Sequence, residues 1–193
     1  MLSNLEKYNI VLASKSPRRQ ELLRGMGVKF KVQTKDIVES YPADMALEEV
    51  ALFLSRQKSM AFEISELPKD FLVITSDTVV IAGKEILGKP KDRADALRML
   101  ELLSGRTHHV ITGVTLRSVK KMKSFSATSR VTFARLDAEE MAYYVDTFKP
   151  YDKAGAYGIQ EWIGYVGITG LNGSFYNVMG LPTRRLYQAL KGF

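Results

Sequence analysis

The sequence predicts an α/β fold: a mixed sheet flanked by helices, with two lobes around a cleft and one domain over residues 1–193. Three patterns carry this reading. Segments with helical apolar spacing alternate with β-branched runs, but without the strict strand–helix–strand rhythm of an all-parallel sheet. Phe71-Leu72-Val73-Ile74-Thr75-Ser76 is an apolar run of the kind expected of a central strand covered on both faces. Residues 108–119 and 122–136 are rich in β-branched residues and read as a long antiparallel pair.

The elements run in order. Residues 10–13 form a short buried strand. Ser16 is a good N-cap, Pro17 suits the first helical position, and the helix runs through Leu22 and Leu23 to stop near Gly25 or Gly27. A helix over 44–64 carries Leu47, Val50, Ala51, Leu54, Ala61 and Phe62 on one face. That stripe calls for an apolar residue at position 58 and finds Lys58, which either snorkels or points into a wet cleft. After the central strand, Asp77 and Thr78 lead to a hairpin in which 79–81 and 85–87 flank Ala82-Gly83-Lys84. Asp92 caps a helix with Leu97, Leu100 and Leu103 on one face and Gly105 beyond its end. Lys120, Lys121 and Lys123 sit at the solvated turn of the long pair. Asp137 with Glu140 makes a capping box for a helix bearing Met141, Tyr144, Val145 and Phe148. Residues 152–160 are a glycine-rich loop running into a strand, 174–179 a further strand, and Pro182 starts a last helix.

Composition narrows the chemistry. The chain has no cysteine, which excludes disulfides, thiolate catalysis and zinc-thiolate sites. Its two histidines are adjacent, His108 and His109, which argues against a histidine-rich metal site. No apolar run approaches a membrane span and no signal peptide precedes the first strand, so a cytoplasmic protein with no membrane partner is expected. A net charge of +7 suits polyanionic partners.

The chemistry-bearing residues point to phosphate. Ser14-Lys15-Ser16-Pro17-Arg18-Arg19 leads from a strand into a helix start. Free N–H groups and the positive dipole end favour an anion there, and Arg18 and Arg19 can grip phosphate oxygens two at a time. Basic residues are unfavourable in a first turn, so a merely capped helix leaves the pair unexplained. Asp77 lies just beyond the buried strand, where α/β sheets place their sites. It can bind a metal, orient water or act as a general base; the plainer alternative is a turn aspartate. Glu39 is a second metal-directed carboxylate or a surface glutamate. Lys89 is pushed to extended geometry by Pro90 and can reach a phosphate. Gln160 ends the small-residue loop and offers a donor and an acceptor to a base edge. Breaking a phosphoanhydride needs cations for the phosphates and carboxylates for a metal and a water. Arg18, Arg19, Lys58 and Lys89 supply the first, Asp77 and Glu39 the second. The Gly-Lys-Ser/Thr phosphate loop is absent, which excludes a P-loop enzyme.

At these residues the chain resembles the Maf family of nucleoside triphosphate pyrophosphatases, also called septum-formation-inhibitor-like proteins. The resemblance runs nearly end to end, through Ser14 to Arg19, Ser76-Asp77-Thr78-Val79-Val80, Gly88-Lys89-Pro90, Ser104-Gly105-Arg106-Thr107-His108, Asp152-Lys153-Ala154-Gly155-Ala156-Tyr157-Gly158-Ile159-Gln160 and Gly180-Leu181-Pro182. It implies an elongated fold with a central cleft, similar to inosine-triphosphate pyrophosphatases. It implies hydrolysis of a nucleoside triphosphate to the monophosphate and pyrophosphate, assisted by a divalent metal such as Mg or Mn, in a protein compatible with a homodimer. Asp77 matches the family's proposed catalytic base. Arg18, Thr78 and Gln160 match positions associated with substrate choice and look like the branch that prefers dTTP and UTP. Glu39, Lys58 and Lys89 also fall on family active-site positions. Lys149 and Glu161 stand where a glutamate and a glycine are expected, and Glu161 adjoins Gln160.

The competing reading is a non-catalytic nucleotide or nucleic-acid binder acting in cell-division control. The carboxylates Asp77 and Glu39 favour the enzyme, since a binder needs cations but not a metal-directed pair. The tyrosines and phenylalanines fall mostly on apolar faces rather than among the basic residues, so no stable nucleic-acid partner is expected.

Overall fold

The computed structural model describes residues 2–193. Its strands are β1 (Asn9–Leu12), β2 (Lys31–Val32), β3 (Phe71–Ala82), β4 (Glu85–Leu87), β5 (Thr107–Arg117), β6 (Met122–Phe133) and β7 (Ile168–Asn172). They form one sheet in the order β2-β1-β3-β5-β6-β7, with β4 paired to β3. The sheet is mixed, as expected: β1 runs parallel to β2 and β3, whereas β3–β4 and β6–β7 are antiparallel. The helices are α1 (Pro17–Gly25), α2 (Leu47–Met60), α3 (Arg93–Leu103), α4 (Ala138–Phe148), α5 (Trp162–Val166), α6 (Phe175–Met179) and α7 (Thr183–Lys191). Among the described residues no helix is long and apolar enough to cross a membrane.

Local chemistry explains most boundaries. Ser16 Oγ accepts from Arg19 N–H at the start of α1, Pro17 takes the first position, and Gly27 turns the chain away at φ +74°. Asp92 caps α3, and Asp137 with Glu140 forms the reciprocal capping box of α4. At the far end of α4, Lys149 adopts a left-handed conformation, φ +47°, that glycine would take more cheaply.

The structure corrects the sequence reading in four places. Asp77 does not follow a strand that ends at Ser76; it lies inside β3, which runs unbroken for 12 residues. A charged residue is tolerated there because its carboxylate is paired with the ammonium of Lys58. The segment 174–179 is helix α6 and not a strand: Ser174 Oγ accepts from Asn177 N–H and Ser174 O accepts from Val178 N–H. The loop 152–160 leads into the short helix α5, and the strand comes later, as β7. Helix α2 spans Leu47–Met60 rather than 44–64, with Ile64–Glu66 forming a separate 3-10 turn.

The chain divides into two compact units. The first comprises the residues up to Asp77 with Thr112–Ala127 and Gly180–Phe193. One part of its core joins Leu12, Leu23, Leu72, Ile74, Val114, Leu116, Leu186 and Leu190; another joins Val11, Phe62, Leu67, Phe71 and Val73. The second comprises Thr78–Ile111 and Thr128–Met179. Its core gathers Leu87, Leu100, Leu103, Val110, Phe133, Tyr144, Tyr157 and Ile163.

Two features of the first unit set where its polar side chains can meet. The β1–β3 register pairs Leu12 with Ile74, and Ala13 N–H donates to Ile74 O at 2.9 Å. The loop that opens α1 therefore leaves β1 level with a point three residues before Asp77. Helix α2 approaches β5 so closely that a Cβ on Gly113 would lie 2.3 Å from Ala51 O. Only glycine admits that contact.

Candidate active site

Seven of the ten residues singled out from the sequence lie in the first unit, and most join one network of charges. Helix α2 brings Lys58 on its last turn. Its ammonium lies 2.5 Å from Asp77 Oδ1 and 3.0 Å from Glu39 Oε1. The Lys58 and Asp77 side chains are 20% and 11% exposed, whereas Glu39 is 49% exposed. This resolves the two readings of Lys58. Its stem follows the buried side of the helix, but the head group meets carboxylates.

Glu39 sits on a segment without regular structure. Besides the Lys58 pair, the segment is held where Lys15 pairs with Asp36 at 2.7 Å, Lys35 pairs with Glu66 at 2.7 Å, and Gln57 Nε2 donates to Ser40 O at 3.4 Å. The ion pairs are exposed and worth at most about 1 kcal/mol each.

The start of α1 supplies two arginines. Ser14 Oγ accepts from Ser16 N–H at 3.2 Å, which folds the entry loop before the cap. Arg19 turns inward from the first turn: its Nε donates to Gly180 O and its Nη1 to Ser76 O, both at 2.9 Å. This accounts for a base at an unfavourable helix position, because Arg19 ties α1 to the residue before Asp77. Loss of hydration holds its guanidinium below the ordinary value; Asp77 and Glu39 pull it up, and Arg18 pushes it down. Those four groups thus share one field. With Lys58 the cluster holds three cations against two carboxylates, an excess suited to a polyanion.

Beneath Asp77 lies a set of buried hydroxyls. Thr75 Oγ1 donates to Ser55 O at 2.7 Å, and Ser55 Oγ is 2.9 Å from Thr115 Oγ1, which is 3.0 Å from Ser124 Oγ. These bonds fasten α2 to β3 and β5. Arg117, itself buried, donates from Nη1 to Ser59 O at 2.6 Å and from Nη2 to Phe62 O at 2.7 Å, closing the carbonyl end of α2 just past Lys58. Sequence reasoning missed these supports. Gly113 was the one visible hint, a glycine in the middle of a β-branched strand.

The other three residues belong to the second unit. Thr78 follows Asp77 in β3 and is half-buried. Lys89 is exposed in the segment after β4, whose Gly88 O accepts from Gly155 N–H at 3.0 Å. Gly155 has φ +71°, and a Cβ there would stand 3.0 Å from the Val80 methyls. Gln160 is half-buried, and its Oε1 is buried without a hydrogen-bond partner. A buried acceptor left unmade costs about 1–3 kcal/mol.

Among the described residues no three acids or histidines gather as a ready-made metal cage. The donor set near Lys58 is two carboxylates. Magnesium-sized ions bind through one or two carboxylates and complete their sphere with water and substrate phosphate, so the pair has the donor chemistry for such an ion, with the Lys58 ammonium bonded to both of its members.

The chain is 54% identical over 195 residues to a protein of Porphyromonas gingivalis named dTTP/UTP pyrophosphatase, covering 100% of this chain and 98% of that one. It is 53% identical over 192 residues to a protein of that name from Phocaeicola vulgatus, covering 99% of each. It is 52% identical over 194 residues to another from Parabacteroides distasonis, covering 100% of each. Among solved structures it is similar to a HAM1 protein from Coxiella burnetii, with 17% identity and a TM-score of 0.49 over 96% of this chain and 100% of that one. The family model described as Maf-like protein matches residues 9–193. With that match and full-length relatives above half identity, the chain belongs to the Maf-like protein family.

Proposed function

We propose that this protein is a nucleoside triphosphate pyrophosphatase that hydrolyses dTTP and UTP to the monophosphate and pyrophosphate. The relatives' names support the substrate class. The observation that carries the chemistry is the Lys58 ammonium between the Asp77 and Glu39 carboxylates, in the same field as Arg18 and Arg19. A binder of nucleotides needs the cations; the pair of acids is what hydrolysis adds.

In this reading Asp77 accepts a proton from the attacking water. The new oxygen–phosphorus bond forms as the bridge between the α and β phosphates breaks, and pyrophosphate leaves with the electron pair. Arg18, Arg19 and Lys89 neutralise phosphate oxygens, and the contacts that strengthen as charge moves to the leaving group raise the rate. Lys58 keeps the two carboxylates together and oriented. Ser14 and Ser16 hold the shape of the loop that opens α1, their hydroxyls accepting from Ser16 N–H and Arg19 N–H. Asp77 and Glu39 would hold a divalent ion, Mg or Mn, which when bound neutralises phosphate charge as a Lewis acid.

Gln160 reads the base, with Thr78 contributing to substrate choice. Its unpartnered Oε1 can accept from N3–H of uracil or thymine while Nε2 donates to O4. Cytosine reverses that pattern, so the expected order is dTTP and UTP, then CTP, then ATP and GTP. Product analysis tests the reading. With Mg or Mn, UTP should yield UMP and pyrophosphate, EDTA should stop the reaction, and added metal should restore it. Release of UDP and orthophosphate alone would overturn the assignment.

A further inference from the structure

The loop that ends at Gln160 is held from behind by a network that the reaction itself does not use. Glu161 N–H donates to Gly158 O at 3.0 Å, which makes 158–161 a turn with Gln160 at its third position. Both ends of the turn meet one phenol oxygen. Gly158 N–H donates to Tyr144 Oη at 2.9 Å, and that hydroxyl donates in a short bond to Glu161 Oε2. Tyr144 is fully buried on α4 and stacks on Phe148 at 5.2 Å, so the oxygen has a fixed position. The other Glu161 oxygen, Oε1, is 2.9 Å from Lys153 Nζ, which also lies 2.8 Å from Asp152 Oδ1.

The fit is close. A Cβ on Gly158 would stand 2.9 Å from both Glu161 Cδ and Lys153 Cε, and one on Gly164 would stand 1.7 Å from Ile159 O. The turn has one way to sit. Its carboxylate is neutralised by Lys153 and bonded to Tyr144, so neither oxygen competes with Gln160 for a ligand. Burial and the Glu161 carboxylate push the Tyr144 phenol well above its ordinary value, so it remains a hydroxyl that can donate to Glu161. The geometry gives Glu161 work: its two carboxylate oxygens reach Tyr144 and Lys153, one each.

We infer that Glu161 is a positioning residue for base selection, acting through Tyr144 and Lys153 to hold the 158–161 turn and so fix the direction of the Gln160 amide. The inference rests on the proposal that Gln160 reads the base. It differs from a purely structural role because an amide that wanders between two orientations serves cytosine as well as uracil. Loss of the clasp therefore lowers the ratio of UTP to CTP efficiency rather than all rates alike.

The test compares kcat/KM for UTP and CTP in wild type, Gln160→Ala, Tyr144→Phe, Glu161→Leu, Glu161→Gln and the double variant Glu161→Leu/Gln160→Ala. Tyr144→Phe keeps the shape and the stack while removing the shared oxygen, so it remains informative if Glu161→Leu folds poorly. The expected fall in the UTP/CTP ratio is about tenfold for Tyr144→Phe and Glu161→Leu, as for other small misplacements of a contact group. Glu161→Gln still accepts from Tyr144 and should recover much of the ratio. In the Gln160→Ala background, Glu161→Leu should change the ratio no further. An unchanged ratio in Tyr144→Phe and Glu161→Leu, with Gln160→Ala flattening it, overturns the inference and leaves the role of Gln160 standing. A ratio unaffected by Gln160→Ala overturns both.

Discussion

Lys58 Nζ and Asp77 Oδ1 lie 2.5 Å apart, an ammonium from the last turn of a helix against a carboxylate from the middle of a strand. Each charge meets the other where the two side chains are 20% and 11% exposed. Together they let a central strand carry an acid where an apolar residue would otherwise stand.

Asp77→Asn preserves size and removes the charge. Turnover should fall at least about 10²-fold, the usual scale for losing acid–base assistance, with the far-ultraviolet circular dichroism unchanged. Stability of the cycle Lys58→Met, Asp77→Asn and the double variant should show a favourable coupling of about 1–3 kcal/mol by urea unfolding. Near-normal turnover in folded Asp77→Asn would remove Asp77 from the mechanism.

Arg18→Ala and Lys89→Ala should lower kcat/KM for every nucleotide by similar factors, since each is assigned to phosphates and not to a base. An effect confined to one nucleotide would move that residue to base recognition. Arg19→Ala should also lower stability by about 2 kcal/mol, because two backbone carbonyls, Gly180 O and Ser76 O, lose a charged donor. An unchanged melting temperature would show that these bonds contribute nothing.

Gly113→Ala places a methyl 2.3 Å from Ala51 O and 2.5 Å from Leu52 Cα, both backbone atoms that cannot step aside. Helix α2 must lift from β5 and carry Lys58 with it. The expected cost is about 3 kcal/mol of stability, the upper range for overpacking, with a loss of activity that outlasts any rescue of folding by low temperature. A variant as stable as wild type would show that the close approach is not needed.

His108 is buried, with Nε2 2.7 Å from Tyr157 Oη, and burial lowers its pKa from 6.5 to about 4, with a smaller contribution from His109. The unfolded chain therefore binds a proton between these values and the folded chain does not. The contribution of His108 is fully present above pH 6.5 and is lost as pH falls toward 4, in total about 3 kcal/mol. Urea unfolding across that window should show stability falling on acidification. His108→Phe should flatten the fall, and an equally steep profile in that variant would exclude His108 as its source.

The capped helices, the mixed character of the sheet and the capped start of α1 were legible in the chain because local chemistry decides them. Ser16, Asp92 and Asp137 cap by bonding their own third neighbours, and a glycine at 83 or 105 meets a positive φ on the spot. The segment 174–179 misled because a single helical turn is too short to show a period. Asp77 misled because a polar residue reads as a strand end until its partner is seen. That partner, Lys58, is 19 residues away and Glu39 is a further 19, and no local pattern encodes their meeting. It depends on the β1–β3 register, on Gly113 admitting α2, and on Arg117 and the buried hydroxyls fastening that helix. The residues of the Lys58, Asp77 and Glu39 cluster could be singled out from the chain alone, but their contacts could not. Which side chain neutralises which, and that Arg19 is bound to backbone carbonyls and Glu161 to a tyrosine, were settled only by long-range packing, where partners distant in sequence compete for the same buried polar atoms.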